Sequence, residues 1–406
     1  MGVITKFVEN ENFHTTLINF IYQFKCKNEE IAALNLLSRL LYITNKKYPE
    51  IDLFAREKMN RYIMNFGIIN QSINDIYFLN ISLLIPSQNV IKEDYLEDAL
   101  KFALETIYEN NLNNEILFER EKRLAIEMVL NNYKNIDFIA EKNMLDLIDD
   151  AGIINKFKYK DIEYLNNLTI ENIVACFNKY IKNVKPKIFI NGNIDKSKTE
   201  LIITDYFEEL NLKDYKVLKD YNYFYDKKEF IDKNDVSKFY QSIVYMVYNV
   251  KDYNQDDFYK LYFINLLLNN SSSDLLLKGL RKENNLVYSC GSSIMMRNGL
   301  LFVKATTNKN NIKLTKMIID SIINEIRNGS IDNNITSDII HRLSLNIERE
   351  KDSFYVGSSN IINDYFKTDL SSEKVLNILK SITIDELIAL ANKLELKCIY
   401  TLEGNR

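Results

Sequence analysis

Leu280-Arg281-Lys282-Glu283-Asn284-Asn285-Leu286-Val287-Tyr288-Ser289 is the stretch on which the reading of this chain turns. Upstream stand Ser271-Ser272-Ser273 and then Asp274-Leu275-Leu276-Leu277-Lys278, the pattern of an N-capped helix entering a short turn. Downstream, residues 286–296 alternate as a strand, Arg297-Asn298-Gly299 makes a hairpin turn, and residues 300–306 return as its partner. Arg281 therefore leaves the end of a helix and Tyr288 sits on the strand that follows, so both side chains can aim at one point. Read alone, the same ten residues also make an ordinary helix-to-hairpin junction.

The chain around them has 406 residues, enough for two domains or two related halves. An apolar content of 46% supports real cores, and a formal charge of −4 gives no electrostatic case for nucleic acid or an anionic membrane surface. Cys26, Cys176, Cys290 and Cys398 are far apart and lie in apolar runs, which suits free thiols in a reducing compartment rather than a zinc knuckle or redox pair. The first residues lack the apolar core of a signal peptide, and no apolar run reaches membrane-spanning length. A soluble, cytoplasmic protein is expected.

Apolar spacing predicts strands at 15–24 and 76–85, and an amphipathic helix over 28–44 with Ile31, Leu34, Leu37 and Leu41 on its buried face. Helices are expected at 51–64, 93–109, 114–150 with a break near 131–135, 169–181 and 196–210, with a strand at 186–193. Residues 212–236, polar and without periodicity, read as a linker between a half at 1–211 and a half at 237–406. An internal repeat supports two halves. Leu168-Thr169-Ile170-Glu171-Asn172-Ile173 aligns with Ile382-Thr383-Ile384-Asp385-Glu386-Leu387, and each helix leads to a strand and a glycine, Gly192 or Gly404.

With two such halves and the Arg281–Tyr288 unit in the second, the chain resembles the pitrilysin/insulinase-type metallopeptidases, which include the mitochondrial processing peptidases. That family carries Leu-Arg-(Glu/Lys)-x-x-Gly-Leu-Ala-Tyr-Ser in its C-terminal half; here Asn285 stands for the glycine and Val287 for the alanine. The resemblance implies an α+β fold of the LuxS/mitochondrial processing peptidase-like metallohydrolase kind, each half an antiparallel-rich sheet packed with helices. It also implies an N-terminal helix bearing His-x-x-Glu-His and a later zinc-binding Glu. The corresponding positions here are Asn35, Ser38 and Arg39, with Glu119 as the surviving carboxylate; by itself Glu119 reads first as a solvated helix-face group, and an ion pair with Arg39 is the lesser reading. His14 and His341 are the only histidines, so no His-x-x-x-His pair exists and no catalytic zinc is expected in this chain.

Some members of that family work as heterodimers, in which one subunit holds the metal and the other supplies the Arg–Tyr pair. The resemblance therefore implies a non-catalytic subunit of a bacterial processing peptidase. Its partner would be a zinc-bearing paralogous subunit, and its substrate a small peptide, as in bacteriocin or other ribosomal-peptide maturation. Arg281 and Tyr288 would act in trans on the scissile carbonyl. The peptide would add as a strand to a sheet edge near Asn70, Gln71 and Ser72. The alternative is a zinc-less structural or peptide-binding protein of the same fold, of the kind linked to elongation factor P modification. No Gly-rich phosphate loop, Ser-His-Asp order or Cys–His pairing supports other chemistry.

Overall fold

Strand β2 (Thr15–Lys25) is buried over almost its whole length, because its apolar residues feed both faces of a sheet rather than one. In a computed structural model that describes residues 2–91, 93–149, 152–156, 158–226, 229–269, 274–331, 333–350 and 353–405, β2 is the centre of the first of two five-stranded sheets. The others are β1 (Ile4–Glu9), β3 (Asn65–Ile73), β4 (Ile76–Pro86) and β5 (Lys187–Gly192), in the order β1-β5-β2-β4-β3. Only β1 and β5 pair in parallel. One face, with Ile18, Phe20 and Tyr22, packs on helices that include Ile31–Leu41 and Leu96–Tyr108. Ile21, Phe78 and Phe189 lie in a separate apolar cluster on the other face.

The second sheet repeats the plan strand for strand. It runs β6-β10-β7-β9-β8, built from β6 (Ile231–Val236), β7 (Ser242–Val250), β8 (Val287–Met295), β9 (Leu300–Thr307) and β10 (Leu394–Glu403). Again one parallel pair, β6 with β10, lies at one side, and the remaining pairs are antiparallel. Helices Ile170–Phe177 and Ile384–Asn392 each open with a capping box, Thr169 with Asn172 and Thr383 with Glu386. The two α+β halves and their duplication are thus visible in the topology, as expected from the repeat.

The division of the chain differs from a cut at 212–236. One compact unit holds Met1–Asn131, Lys156–Tyr221 and Ser353–Asp369; the other holds Asn132–Asn155, Asn222–Asp352 and Leu370–Arg406. Each half therefore lends a helix to the other's sheet. Helix Phe354–Phe366 closes the outer face of the first sheet, where Phe366 joins Phe78, Phe189 and Tyr221. The buried Tyr221 hydroxyl is satisfied by donating to the Phe366 carbonyl at 2.9 Å and accepting from Gln23 at 2.9 Å. Helix Ile136–Ile148 serves the second sheet, with Asn143 Nδ2 donating to the Tyr400 hydroxyl at 2.9 Å. The expected linker also contains β6, and the helix expected at 51–64 ends at Asn60, so that Gly67 lies inside β3.

Helix Ile31–Leu41, which positions the candidate site, is pinned at its start by Glu30. That carboxylate accepts from the Lys27 amide (2.9 Å), Lys179 Nζ (2.7 Å) and the Tyr180 hydroxyl (2.7 Å). Burial alone pushes the Glu30 pKa up, but the hydrogen bonds from Lys179, Tyr180 and Lys27 prevail and hold it below the ordinary carboxylate value. A depressed folded pKa adds stability above the unfolded value of about 4.3, and that contribution is lost as the pH falls through the folded value. Glu30→Gln should therefore lower the urea midpoint at pH 7, and the gap to the parent should close below about pH 4. Equal gaps at both pH values would contradict this account.

Candidate functional site

The three helix positions that the resemblance sets against His-x-x-Glu-His carry an amide, a hydroxyl and a guanidinium. Asn35, Ser38 and Arg39 all lie on helix Ile31–Leu41 and are half-buried. Arg39 donates from Nε to Glu121 Oε2 at 3.1 Å, and its Nη2 lies 2.9 Å from the same oxygen. Arg120 Nη1 reaches Glu121 Oε1 at 2.6 Å. The partner of Arg39 is thus Glu121, not Glu119, which lies exposed on the far side of helix Glu115–Asn132. Helical spacing explains the difference: Leu117, Phe118 and Glu121 form the buried stripe, and Glu119 falls off it. That spacing was present in the sequence and would have selected the right carboxylate.

These residues do not fit zinc. A guanidinium has no lone pair to give, and the buried carboxylate beside Arg39, Glu121, is already held by two arginines. Among the described residues, no three His, Cys, Asp or Glu side chains converge as a ligand set.

Asn70, Gln71 and Ser72 lie on β3, which is an edge of the first sheet. Asn70 Nδ2 donates to the Ser38 hydroxyl at 2.7 Å and to the Leu34 carbonyl at 2.9 Å, so the strand is tied directly to helix Ile31–Leu41. Gln71, one residue on, is exposed, as the two-residue alternation of a strand requires. The structure therefore brings together Ser38, Arg39, Asn70 and Glu121.

In the second unit, Leu275–Leu277 continues into a π-helical turn, Lys278–Lys282, which ends in exposed Arg281 and Lys282. The chain leaves the helix through Asn285 at φ +50°, a left-handed conformation that glycine adopts freely and asparagine tolerates better than most residues. This is why Asn can stand where the resembling family has Gly. The serines Ser271, Ser272 and Ser273 lie outside the described residues. On β8, Val287 faces Thr307 and Ser289 faces Thr306, which leaves Tyr288 as the extra residue of a β-bulge. The bulge turns the Tyr288 ring outward at 50% exposure, and its hydroxyl meets Asn308 Oδ1 at 2.7 Å. Burial pushes the neighbouring Cys290 thiol up to about 11; Asp274 adds to the shift and Arg281 opposes it. Beyond Tyr288, the strand lines a cleft of about 400 Å³ with Tyr245, Lys304 and Met144.

Residues 167–343 match the sequence profile of the peptidase M16 inactive domain. No curated protein matches the chain in sequence. Among solved structures, a conserved protein from Enterococcus faecalis V583 superposes with a TM-score of 0.87 at 20% identity, covering 98% of this chain and 96% of that one. A protease from Helicobacter pylori gives a TM-score of 0.78 at 14% identity, with 98% and 96% covered. A peptidase M16 inactive domain from Pseudomonas fluorescens gives 0.78 at 14% identity, with 98% and 95% covered. Identities this low speak for the fold. The chain thus has the fold of these proteins along its whole length, and its residues 167–343 are similar to the peptidase M16 inactive domain.

Proposed function

We propose that this chain is the non-catalytic subunit of a two-chain bacterial zinc processing peptidase that acts on a small peptide. The observation that carries the reading is a split in equipment. Tyr288 is turned outward by a bulge on an edge strand, shortly after exposed Arg281, while the metal positions of the first unit hold Asn35, Ser38 and Arg39. A paralogous partner would hold the zinc that activates water. Arg281 and Tyr288 would donate hydrogen bonds to the scissile carbonyl oxygen as negative charge builds on it. The peptide would add to β3 beside Asn70, Gln71 and Ser72, read by its backbone. Maturation of a ribosomally made peptide such as a bacteriocin in the cytoplasm would suit such a pair.

The test is co-expression of the tagged chain with a His-x-x-Glu-His sister protein from the same genome. A one-to-one complex that cleaves a peptide is expected, and Arg281→Ala or Tyr288→Phe should each lower kcat by about 10²–10³-fold with the complex intact. Failure to form a complex, or cleavage untouched by both substitutions, refutes the proposal. The hydrogen bond that parks the Tyr288 hydroxyl on Asn308 favours a second reading. In it, the chain is a zinc-less structural or peptide-binding protein of the kind linked to elongation factor P modification, and no pairing yields cleavage.

A further inference from the structure

The vacated metal positions hold a surplus of positive charge. Glu121 is buried at 5% side-chain exposure, whereas Arg39 and Arg120 remain 29% and 43% exposed, so two guanidiniums share one carboxylate and turn their excess charge toward water. Their donors are not used up. A guanidinium has five N–H groups. Arg39 Nη1 meets the Met128 thioether at 3.2 Å, a weak acceptor, and Arg120 has Glu121 as its one side-chain partner among the described residues.

An open strand edge stands beside this charge. β3 pairs with β4 on one side and, among the described residues, with no strand on the other. Asn70 holds β3 to Ser38, the residue that precedes Arg39. A chain added to the open edge would lie about 4.8 Å out from β3 and run past the helix that carries Arg39. A polypeptide there brings its own N–H and C=O groups for β3, and alternate side chains for whatever lies beneath.

We infer that Arg39 and Arg120, steadied by Glu121, form a subsite for the side-chain carboxylate of an Asp or Glu in an extended peptide laid along β3. Charge complementarity selects that occupant: two partly exposed guanidiniums offer paired donors that match a carboxylate, and the buried Glu121 holds their stems in place. The inference rests on β3 being the peptide-binding edge, and it adds the class of substrate: acidic at one position.

The experiment uses the full chain and short, N-acetylated, fluorescein-labelled peptides of alternating threonine and valine. One has a central Glu and an amidated end, one a central Gln and an amidated end, and one a central Gln and a free C-terminus. The Glu peptide should bind on the order of tenfold more tightly than its amidated Gln analogue at low salt. Both should protect the amides of residues 65–73 from hydrogen exchange. Arg120→Gln should bring the Glu peptide down to the Gln level and leave the Gln peptide unchanged. The triple variant R39Q/R120Q/E121Q, which strands no buried charge, should do the same. Equal affinity for Glu and Gln peptides with β3 protected overturns the acidic subsite and leaves the strand-addition reading standing. No binding by any peptide overturns both. Preference for the free C-terminus equal to that for Glu assigns the charge to a chain end and overturns the side-chain assignment.

Discussion

Gly192→Ala should lower the unfolding free energy by roughly 3–5 kcal/mol, combining a left-handed backbone position with overpacking against a strand that cannot move. Gly192 has φ +140°, and a Cβ there would lie 2.6 Å from the Thr16 Cα. Thr16 belongs to β2, which is held on one side by β4 and on the other by β5, so the backbone has no room to give. The duplicated position should behave alike: a Cβ on Gly404 would lie 2.8 Å from the Gln241 carbonyl oxygen. Gly67→Ala is the control, since its nearest neighbour would be the Ser82 hydroxyl at 3.4 Å. Urea denaturation of the three variants decides the matter. If Gly192→Ala unfolds at the same midpoint as Gly67→Ala, the close approach is not what fixes the glycine.

Arg39→Ala should cost about 2–4 kcal/mol, because it leaves the buried Glu121 carboxylate with Arg120 as its remaining cation. The double replacement Arg39→Leu with Glu121→Leu should be close to neutral or stabilising, since it removes both the charge and its desolvation cost. The contrast separates two roles for the pair. An ion pair that merely fills space between the two helices can be exchanged for apolar packing, and stability will recover. Loss in the double variant as large as in Arg39→Ala would mean that the site depends on the charges themselves.

Much of this architecture was legible in the residues, for identifiable reasons. β2 and β4 announce themselves because β-branched and aromatic residues dominate them, β9 because it returns from the Arg297-Asn298-Gly299 turn, and the helix pair 115–132 and 136–148 because its break falls at the polar run Asn131–Asn135. β1 and β6 did not. Ile231-Asp232-Lys233-Asn234-Asp235-Val236 has no strand pattern of its own and becomes a strand by pairing with β10; β1 does so with β5. The edge at β3 came from the family resemblance rather than from alternation, which a half-exposed edge shows poorly. The choice between Glu119 and Glu121 was decidable from helical phase. The exchange of helices was not, because an amphipathic stripe states that a helix will be buried and not on which sheet. Tyr288 was placed on its strand correctly, but the bulge that turns it outward follows from the register against β9, a property of two strands together.

The exchanged helices also set a timetable for synthesis. All five strands of the first sheet have been made once Gly192 is added, yet the helix that covers Phe78, Phe189 and Tyr221 begins only at Phe354. At typical translation rates the interval is on the order of ten seconds. Throughout it, a nascent chain with a finished sheet would present an aromatic face with its natural cover still unmade. The fold therefore asks for a chaperone or a slow-aggregating intermediate during manufacture, whatever its stability once complete.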